Sequence, residues 1–506
     1  MKTYKLSGRL ISFLLALICL GAFASCSDAD MDVPGSSGTE TEPSQPTEAV
    51  TEPETDADGY IVDSLPDKLD FGRRTFNVLQ WRAYQSEFYL DGGAKDSISE
   101  ALYYRVGNAE ERLNCVLNIE YENGDWGSMG TFVDKIYNDV NSQINHFDLV
   151  GQYSFAAPTA AMYGCYRNLT KVGNYLDLDK PWWDQDLIRS AQLADKTFFL
   201  TGDIAPTSIY QNFCLFFNLN MVEAHQYSVD DLYRDALDGN WTMEKLKEMT
   251  RGIYSDTDHD GVAGNGDTYG LDVFDNPHYD AFFYACGLKV VERTENGFAL
   301  TADFLGQKAT NLVDEMKAYI ASGDVSKTQN GGEAFAQGRA MFVLTTFNYP
   351  LNKLREADFR YGVLPMPKYD ANQKEYAISL AAPFTLYSIP RFCSDAEQSG
   401  ALMEVLASYA YRAVSPVIYE ETLKTKLAGA RPENAQIYDM IRQSKVYDVG
   451  RIYGNIMSEN GSGASFAIFR NSVVGSYESW SVKLGEMKET YLRQLTVIEQ
   501  AYAQLG

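Results

Sequence analysis

Histidine is scarce in this chain: His146, His225, His259 and His278 are the only four among 506 residues. No His-Glu-x-x-His pair occurs, nor a Gly-x-Ser-x-Gly elbow or a phosphate-binding glycine loop, so zinc-peptidase, α/β-hydrolase and nucleotide chemistry lack their signatures. Cysteine is sparse as well. Apart from Cys19 and Cys26, the set is Cys115, Cys165, Cys214, Cys286 and Cys393, odd in number and without pairing or metal-ligand spacing. Buried free thiols are expected rather than a disulfide framework. Positive charge is short too: 43 Lys and Arg against 69 Asp and Glu give a formal net charge of −26, which makes nucleic acid and bare anionic lipid poor partners. Beyond the N-terminus no apolar run reaches eighteen residues, so the body is not itself a pore or permease.

What is present begins at the N-terminus. Lys2, Lys5 and Arg9 precede an apolar stretch, Leu10 to Phe23, that is too short to span a bilayer comfortably and reads as an export signal over residues 1–25. Ala24 and Ser25 before Cys26 resemble the lipobox of bacterial lipoproteins, which implies acylation of Cys26 and anchoring at a membrane surface. The alternative is plain secretion with Cys26 a bystander. Losing residues 1–25 removes three positive charges and takes the formal charge to −29. From Ser27 to Asp58 there are ten acids and no Lys or Arg, in a Thr/Ser/Pro/Glu-rich context with almost nothing to bury. Residues 26–64 are therefore expected to form an acidic, disordered, self-repelling spacer that holds the folded body outside the cytoplasm.

The body alternates strand and helix patterns. Thr75 to Leu79 and Phe147 to Val150 read as short buried strands. Between them lies a helix expected to open on a capping box of Ser97 and Glu100, with Ile98, Ala101, Leu102, Ala109 and Leu113 on one side. That order predicts a parallel α/β sheet. Leu215 to Asn218 reads as another strand, and Thr242 as a helix N-cap with Trp241 and Leu246 placed as a hydrophobic staple. Further helices are expected over Phe304 to Ile320, after a capping box of Ser394 and Glu397, and from Tyr477 to the C-terminus.

The segment Asp256-Thr-Asp258-His-Asp260-Gly261-Val262 to Asp267 has acids at loop positions 1, 3, 5 and 12 and glycine at 6, the ligand spacing of an EF-hand-type calcium loop. Asp256, Asp258, Asp260, the Val262 carbonyl and Asp267 are the candidate ligands of a structural Ca²⁺. The competing reading is a solvated acidic turn without metal. No other cofactor is expected.

Gly239-Asn-Trp241-Thr242, the Asp-rich loop running into Asp267-Thr-Tyr269-Gly270-Leu271, Phe216-Phe217-Asn218, Phe335-Ala-Gln-Gly338-Arg-Ala-Met341 and Tyr361-Gly362-Val-Leu-Pro365-Met-Pro367 occur in an order that resembles family 1, carbohydrate-type extracellular solute-binding proteins of ABC importers. Pro181-Trp182-Trp183-Asp184 and Gly202-Asp203 resemble a lipoprotein subgroup of that family. The resemblance implies a two-lobed, type II periplasmic-binding-protein-like α/β fold with crossing hinge segments and a ligand cleft between the lobes. It implies a lobe 1 of 65–208 plus about 368–420 and a lobe 2 of 209–367 plus about 421–506. The function it implies is capture of a small polar solute, an oligosaccharide first, by a monomeric receptor that delivers it to ABC permease subunits.

Cleft residues in such folds lie after the carboxyl ends of strands, which nominates Trp81, Tyr84, Gln152 and Tyr153. Asp203, Tyr210, Trp241 and Tyr349 follow from segments near crossovers or signature turns. Core packing is the alternative for each aromatic residue, Trp182 and Trp183 included. A lipid-anchored glycoside hydrolase and a surface adhesion module are the competing functions. Abundant acids make carboxylate pairs unavoidable and therefore uninformative about hydrolysis.

Overall fold

In the computed structural model, residues 55–88, 96–327, 331–427, 431–458, 464–477 and 479–505 are described. The chain divides into Met1–Thr55 and a body of Asp56–Gly506. The export signal, Cys26 and most of the acidic spacer lie outside the described residues. Residues 56–64, expected to belong to the spacer, carry packed positions in the body: Asp63 is buried, receives both guanidinium nitrogens of Arg112, and accepts from the Ser408 hydroxyl at 2.6 Å. An ion pair with these satisfied hydrogen bonds holds a polar stretch that has little apolar surface of its own.

The strands are β1 (Arg74–Trp81), β2 (Cys115–Glu122), β3 (Leu149–Tyr153), β4 (Phe213–Asn218), β5 (Tyr269–Val273), β6 (Val291–Arg293), β7 (Phe298–Leu300), β8 (Ala340–Thr346), β9 (Tyr361–Leu364) and β10 (Thr385–Ser388). One sheet has the order β10-β3-β1-β2, with β1 parallel to β2 and β3 and with β10 antiparallel to β3. The other has the order β5-β8-β4-β9, where β8 runs parallel to β5 and antiparallel to β4. Every residue of β3, β4, β8 and β10 is buried, as sheets covered on both faces require.

The two expected strands are present as β1 and β3, and helix α1 (Ser97–Leu113) follows β1 with Ala101, Leu102, Ala109 and Leu113 buried, but β2 and the helix Met129–Asn141, neither expected from the sequence, lie between α1 and β3. The cap of α1 sits one residue earlier than expected: Asp96, not Ser97, accepts from the backbone N–H of Ser99, whose hydroxyl answers the Asp96 N–H. At helix α2 (Ala396–Tyr409) the cap sits one residue later than expected, where Asp395 replaces Ser394 and accepts from the Gln398 N–H at 3.0 Å. An ionised carboxylate is a stronger acceptor than a hydroxyl and interacts favourably with the positive end of the helix. The helix expected from Phe304 to Ile320 is broken at Gly306, whose backbone is extended, into Ala302–Leu305 and Gln307–Ala321. The C-terminal stripe forms helix α3 (Trp480–Gln504), burying Trp480, Leu484, Tyr491, Leu495, Ile498 and Tyr502.

Two segments join the sheets, 201–212 leading into β4 and 365–384 returning to β10, and they are bonded to each other. Leu200 and Tyr387 exchange backbone hydrogen bonds at 2.9 and 2.8 Å, the Ala381 N–H donates to Gln211 O at 2.8 Å, and the Thr385 N–H donates to the Thr207 hydroxyl at 2.9 Å. The five cysteines Cys115, Cys165, Cys214, Cys286 and Cys393 are free and buried. Among the described residues no helix is long and apolar enough to cross a membrane.

Candidate functional site

A cleft of about 500 Å³ opens where strand ends of the two sheets meet the joining segments. Its first wall is aromatic. Tyr153 ends β3, Phe155 follows it, and Trp126 lies in the Gly124-Asp-Trp-Gly127 turn between β2 and the helix Met129–Asn141. The Phe155 and Phe466 rings stack at 4.6 Å, and the Trp126 ring meets each of them edge-on at 5.9 Å. Trp126 is 59% exposed, which is unusual for so large an apolar group and is a feature of binding surfaces.

The second wall comes from the other sheet. Phe274, Asp275 and His278 follow β5, Thr345 and Thr346 end β8, and Asn348, Tyr349, Asn352 and Lys353 come next in the chain. Gln211 and Ala381–Pro383 of the joining segments form the floor, with Arg451 and Arg470 from the C-terminal region. Ligand sites at the carboxyl ends of strands in α/β sheets have this position.

Polar groups in the cleft are already partly engaged. Asp275 accepts from its own-turn partner His278 through Nδ1 at 2.5 Å. Burial would raise the Asp275 carboxyl, but His278 and the charge of Arg470 hold it below the usual carboxylate range. The Arg451 guanidinium donates to Oδ2 of buried Asp280 at 3.0 Å, and Arg470 donates to the same oxygen. Lys353 lies 3.5 Å from Glu333, with both partners more than a third exposed.

Of the residues nominated from the sequence, Tyr153 and Tyr349 line the cleft. Trp81 is buried directly behind Tyr153, with ring centroids at 5.3 Å, and its indole donates to the Thr385 hydroxyl at 2.9 Å. Tyr84 packs on Trp81 at 4.9 Å, and its hydroxyl accepts from Gln211 at 2.7 Å; burial pushes this phenol up to about 12. Gln152 is buried and accepts from the Tyr166 hydroxyl. Asp203 is buried away from the cleft, where Ser415 donates to it and Arg442 stands 3.7 Å off. Tyr210 is half-buried against the core. Trp241 is fully buried and donates to Pro365 O at 3.0 Å, in the staple position beside Leu246. Trp126, Phe155, Phe274, Asp275, His278, Arg451, Phe466 and Arg470 were not nominated. The glycine-flanked Trp126 was the one with a local signal, since a tryptophan between turn glycines has no helical or strand face on which to hide.

In the Asp-rich loop, carboxylate oxygens of Asp256, Asp258 and Asp260 lie within 4.8 Å of one another. Val262 is exposed. Asp267 is fully buried instead, accepting from the N–H groups of Thr257 at 3.1 Å and Gly264 at 2.8 Å, so it closes the loop from inside.

No family model matches the sequence, and no curated protein matches it. Solved structures do. An ABC substrate-binding protein from Listeria monocytogenes in complex with cycloalternan aligns with a TM-score of 0.53 at 11% identity, covering 84% of this chain and 99% of that one. The cyclic alpha-maltosyl-1,6-maltose binding protein of Arthrobacter globiformis aligns with a TM-score of 0.53 at 14% identity over 85% and 100%. The GacH receptor of Streptomyces glaucescens, solved unliganded and with acarbose, aligns with a TM-score of 0.53 at 14% identity over 84% and 99%. At such identities the likeness establishes architecture rather than cargo: this chain has the two-lobed α/β fold of the solute-binding proteins of ABC transporters.

Proposed function

We propose that this protein is an extracellular receptor that captures a small polar solute, an oligosaccharide first, between its lobes and delivers it to an ABC importer permease. The observation that carries the reading is the aromatic wall of Trp126, Phe155 and Phe466, facing Thr345, Thr346, Asn348 and Asn352 across the cleft. Aromatic faces suit the apolar side of a pyranose, while hydroxyls and amides satisfy its polar edge. The structures it resembles include one in complex with cycloalternan, a cyclic alpha-maltosyl-1,6-maltose binding protein and one solved with acarbose, which supports the same class of cargo. Acylation of Cys26 would tether the receptor beside its permease, and a monomer suffices for the task.

Hydrolysis is disfavoured by the lining. Glycoside hydrolysis ordinarily uses two carboxylates flanking the scissile bond. Among the described residues the cleft offers one, Asp275, and it is engaged by His278. Binding of an oligosaccharide panel, followed by thermal shift and calorimetry, tests the proposal. Trp126→Ala should weaken the bound sugar by about ten-fold, the value of one lost ring contact, without lowering the melting temperature of free protein. Unchanged affinity in that variant would remove the aromatic wall from the site, and release of sugar products would replace the receptor with an enzyme.

We further propose that Asp256, Asp258 and Asp260, with the Val262 carbonyl, hold a structural Ca²⁺, while buried Asp267 fixes the loop around them. A melting temperature that does not move on chelation or on calcium addition would dismiss the ion and leave the receptor untouched.

A further inference from the structure

The chain is strongly acidic, yet the cleft is lined by three basic side chains, Lys353, Arg451 and Arg470, against the single carboxylate of Asp275. A neutral saccharide is a mixed partner: each hydroxyl both donates and accepts, so enclosing one calls for acceptors as well as donors. Among the charged groups of this lining the acceptor capacity is low. Asp275 takes the Nδ1 and backbone N–H groups of His278. Donors, by contrast, are in excess. Arg451 and Arg470 are 9% and 17% exposed, and both contact one oxygen of Asp280 through a single guanidinium nitrogen each. Asp280 takes one N–H from each guanidinium, Arg451 also bonds Tyr284, and the charge of Arg470 acts on Asp275; the N–H groups that remain at the cleft surface can meet an anion with charge-assisted, forked hydrogen bonds.

The arrangement also sets where such a group would lie. The Arg470 guanidinium sits over the Phe466 ring at 5.3 Å, and the Trp126 ring contacts the same Phe466 at 5.9 Å. A sugar stacked on Trp126 therefore has the Arg470 guanidinium near it, with Arg451 joined to Arg470 through Asp280. Lys353 faces them from the segment after β8, shared with Glu333 and open to solvent.

Resting on the receptor reading above, we propose that the saccharide captured in this cleft carries an acidic substituent, a carboxylate or a sulfate ester, bound by Arg470 and Arg451.

Calorimetry on the full chain with trigalacturonic acid, a sulfated N-acetylhexosamine disaccharide and maltotriose tests this. One of the acidic sugars should bind at least about ten-fold tighter than maltotriose, and its affinity should fall as salt rises from about 0.05 to about 0.5 M, where screening shortens. Which of the two binds identifies the substituent. Arg470→Gln should lower the acidic sugar's affinity by about ten-fold or more and bring it near that of maltotriose, with Arg470→Lys between the two. Because Arg470 also supports Asp280, the exposed Lys353→Gln variant provides a second reading: a smaller, salt-sensitive loss for the acidic sugar alone. Maltotriose binding as tightly as the acidic sugars, independent of salt, would overturn the acidic assignment and leave the receptor standing. No heat or thermal shift with any of the three would end both.

Discussion

Gly202 shows how two short motifs far apart on paper become one structural unit. Its φ of +142° lies where side chains are strained, and a Cβ there would sit 2.0 Å from the carbonyl oxygen of Trp182. That close approach lets Asp184 N–H donate to Thr201 O at 3.0 Å and Asp203 N–H donate to Trp182 O at 2.9 Å, locking the Trp-Trp-Asp turn onto the start of the crossing segment. Gly202→Ala should cost about 3 kcal/mol or more, read as a lowered denaturation midpoint, because strain and a backbone clash act together. Under the same turn, the Trp183 indole donates to Glu404 at 3.1 Å. Burial first, with the charge of Asp63 adding to it, pushes the Glu404 carboxyl up to about 8, against hydrogen bonds from the tryptophans that pull it down. A raised folded value means that the native state keeps a proton which the unfolded chain has released. This group's contribution is complete below about 4.5 and fades as the pH climbs to about 8, with a slope of at most about 1.4 kcal/mol per pH unit. Glu404→Gln should flatten that part of the stability profile. An identical pH slope in the variant would assign the dependence to another group.

At the scale of elements, helix positions were legible and their first residues were not. The period of apolar positions located α1, α2 and α3, because burying a stripe is what holds a helix on its sheet. Both Ser-led capping boxes were displaced one residue toward an aspartate, since spacing alone does not rank a hydroxyl against a carboxylate. Asp395→Ala should destabilise by about 1 kcal/mol in denaturant titration, while Glu397, which accepts from Asn174 N–H at 3.2 Å, acts on the neighbouring loop rather than on the cap. At Gly306 the periodic pattern continued across a break: a Cβ there would lie 2.7 Å from Ala302 O, and the extended backbone divides one expected helix into two.

For the molecule as a whole, the two joining segments are hydrogen-bonded side by side through Thr207, Gln211 and Ala381, with Leu200 and Tyr387 pairing at their ends, where a hinge between lobes would lie. Cargo that touches both walls at once favours the closed arrangement by its differential contacts. A sugar at a hundred times its Kd should therefore stabilise the protein by about 2.7 kcal/mol and shrink its radius of gyration in solution scattering. Stabilisation without any compaction would argue for cargo held by one wall only.

The covalent order of residues was enough to specify the α/β alternation, the free cysteines and the acidic surface, because each depends on local periodicity or simple counts. The rule that cleft residues follow strand ends brought Tyr153 to the lining, and the signature-turn segments brought Tyr349, while Trp81, Tyr84, Gln152, Asp203, Tyr210 and Trp241 fell behind it or elsewhere. Tertiary structure alone decided the rest. Trp126 and Phe155 come from one region and Phe466 and Arg470 from another, about three hundred residues further on, and only packing of the C-terminal region against the first wall gives them a common surface. A side chain's chemistry belongs to the chain, but its exposure and its partners belong to the fold.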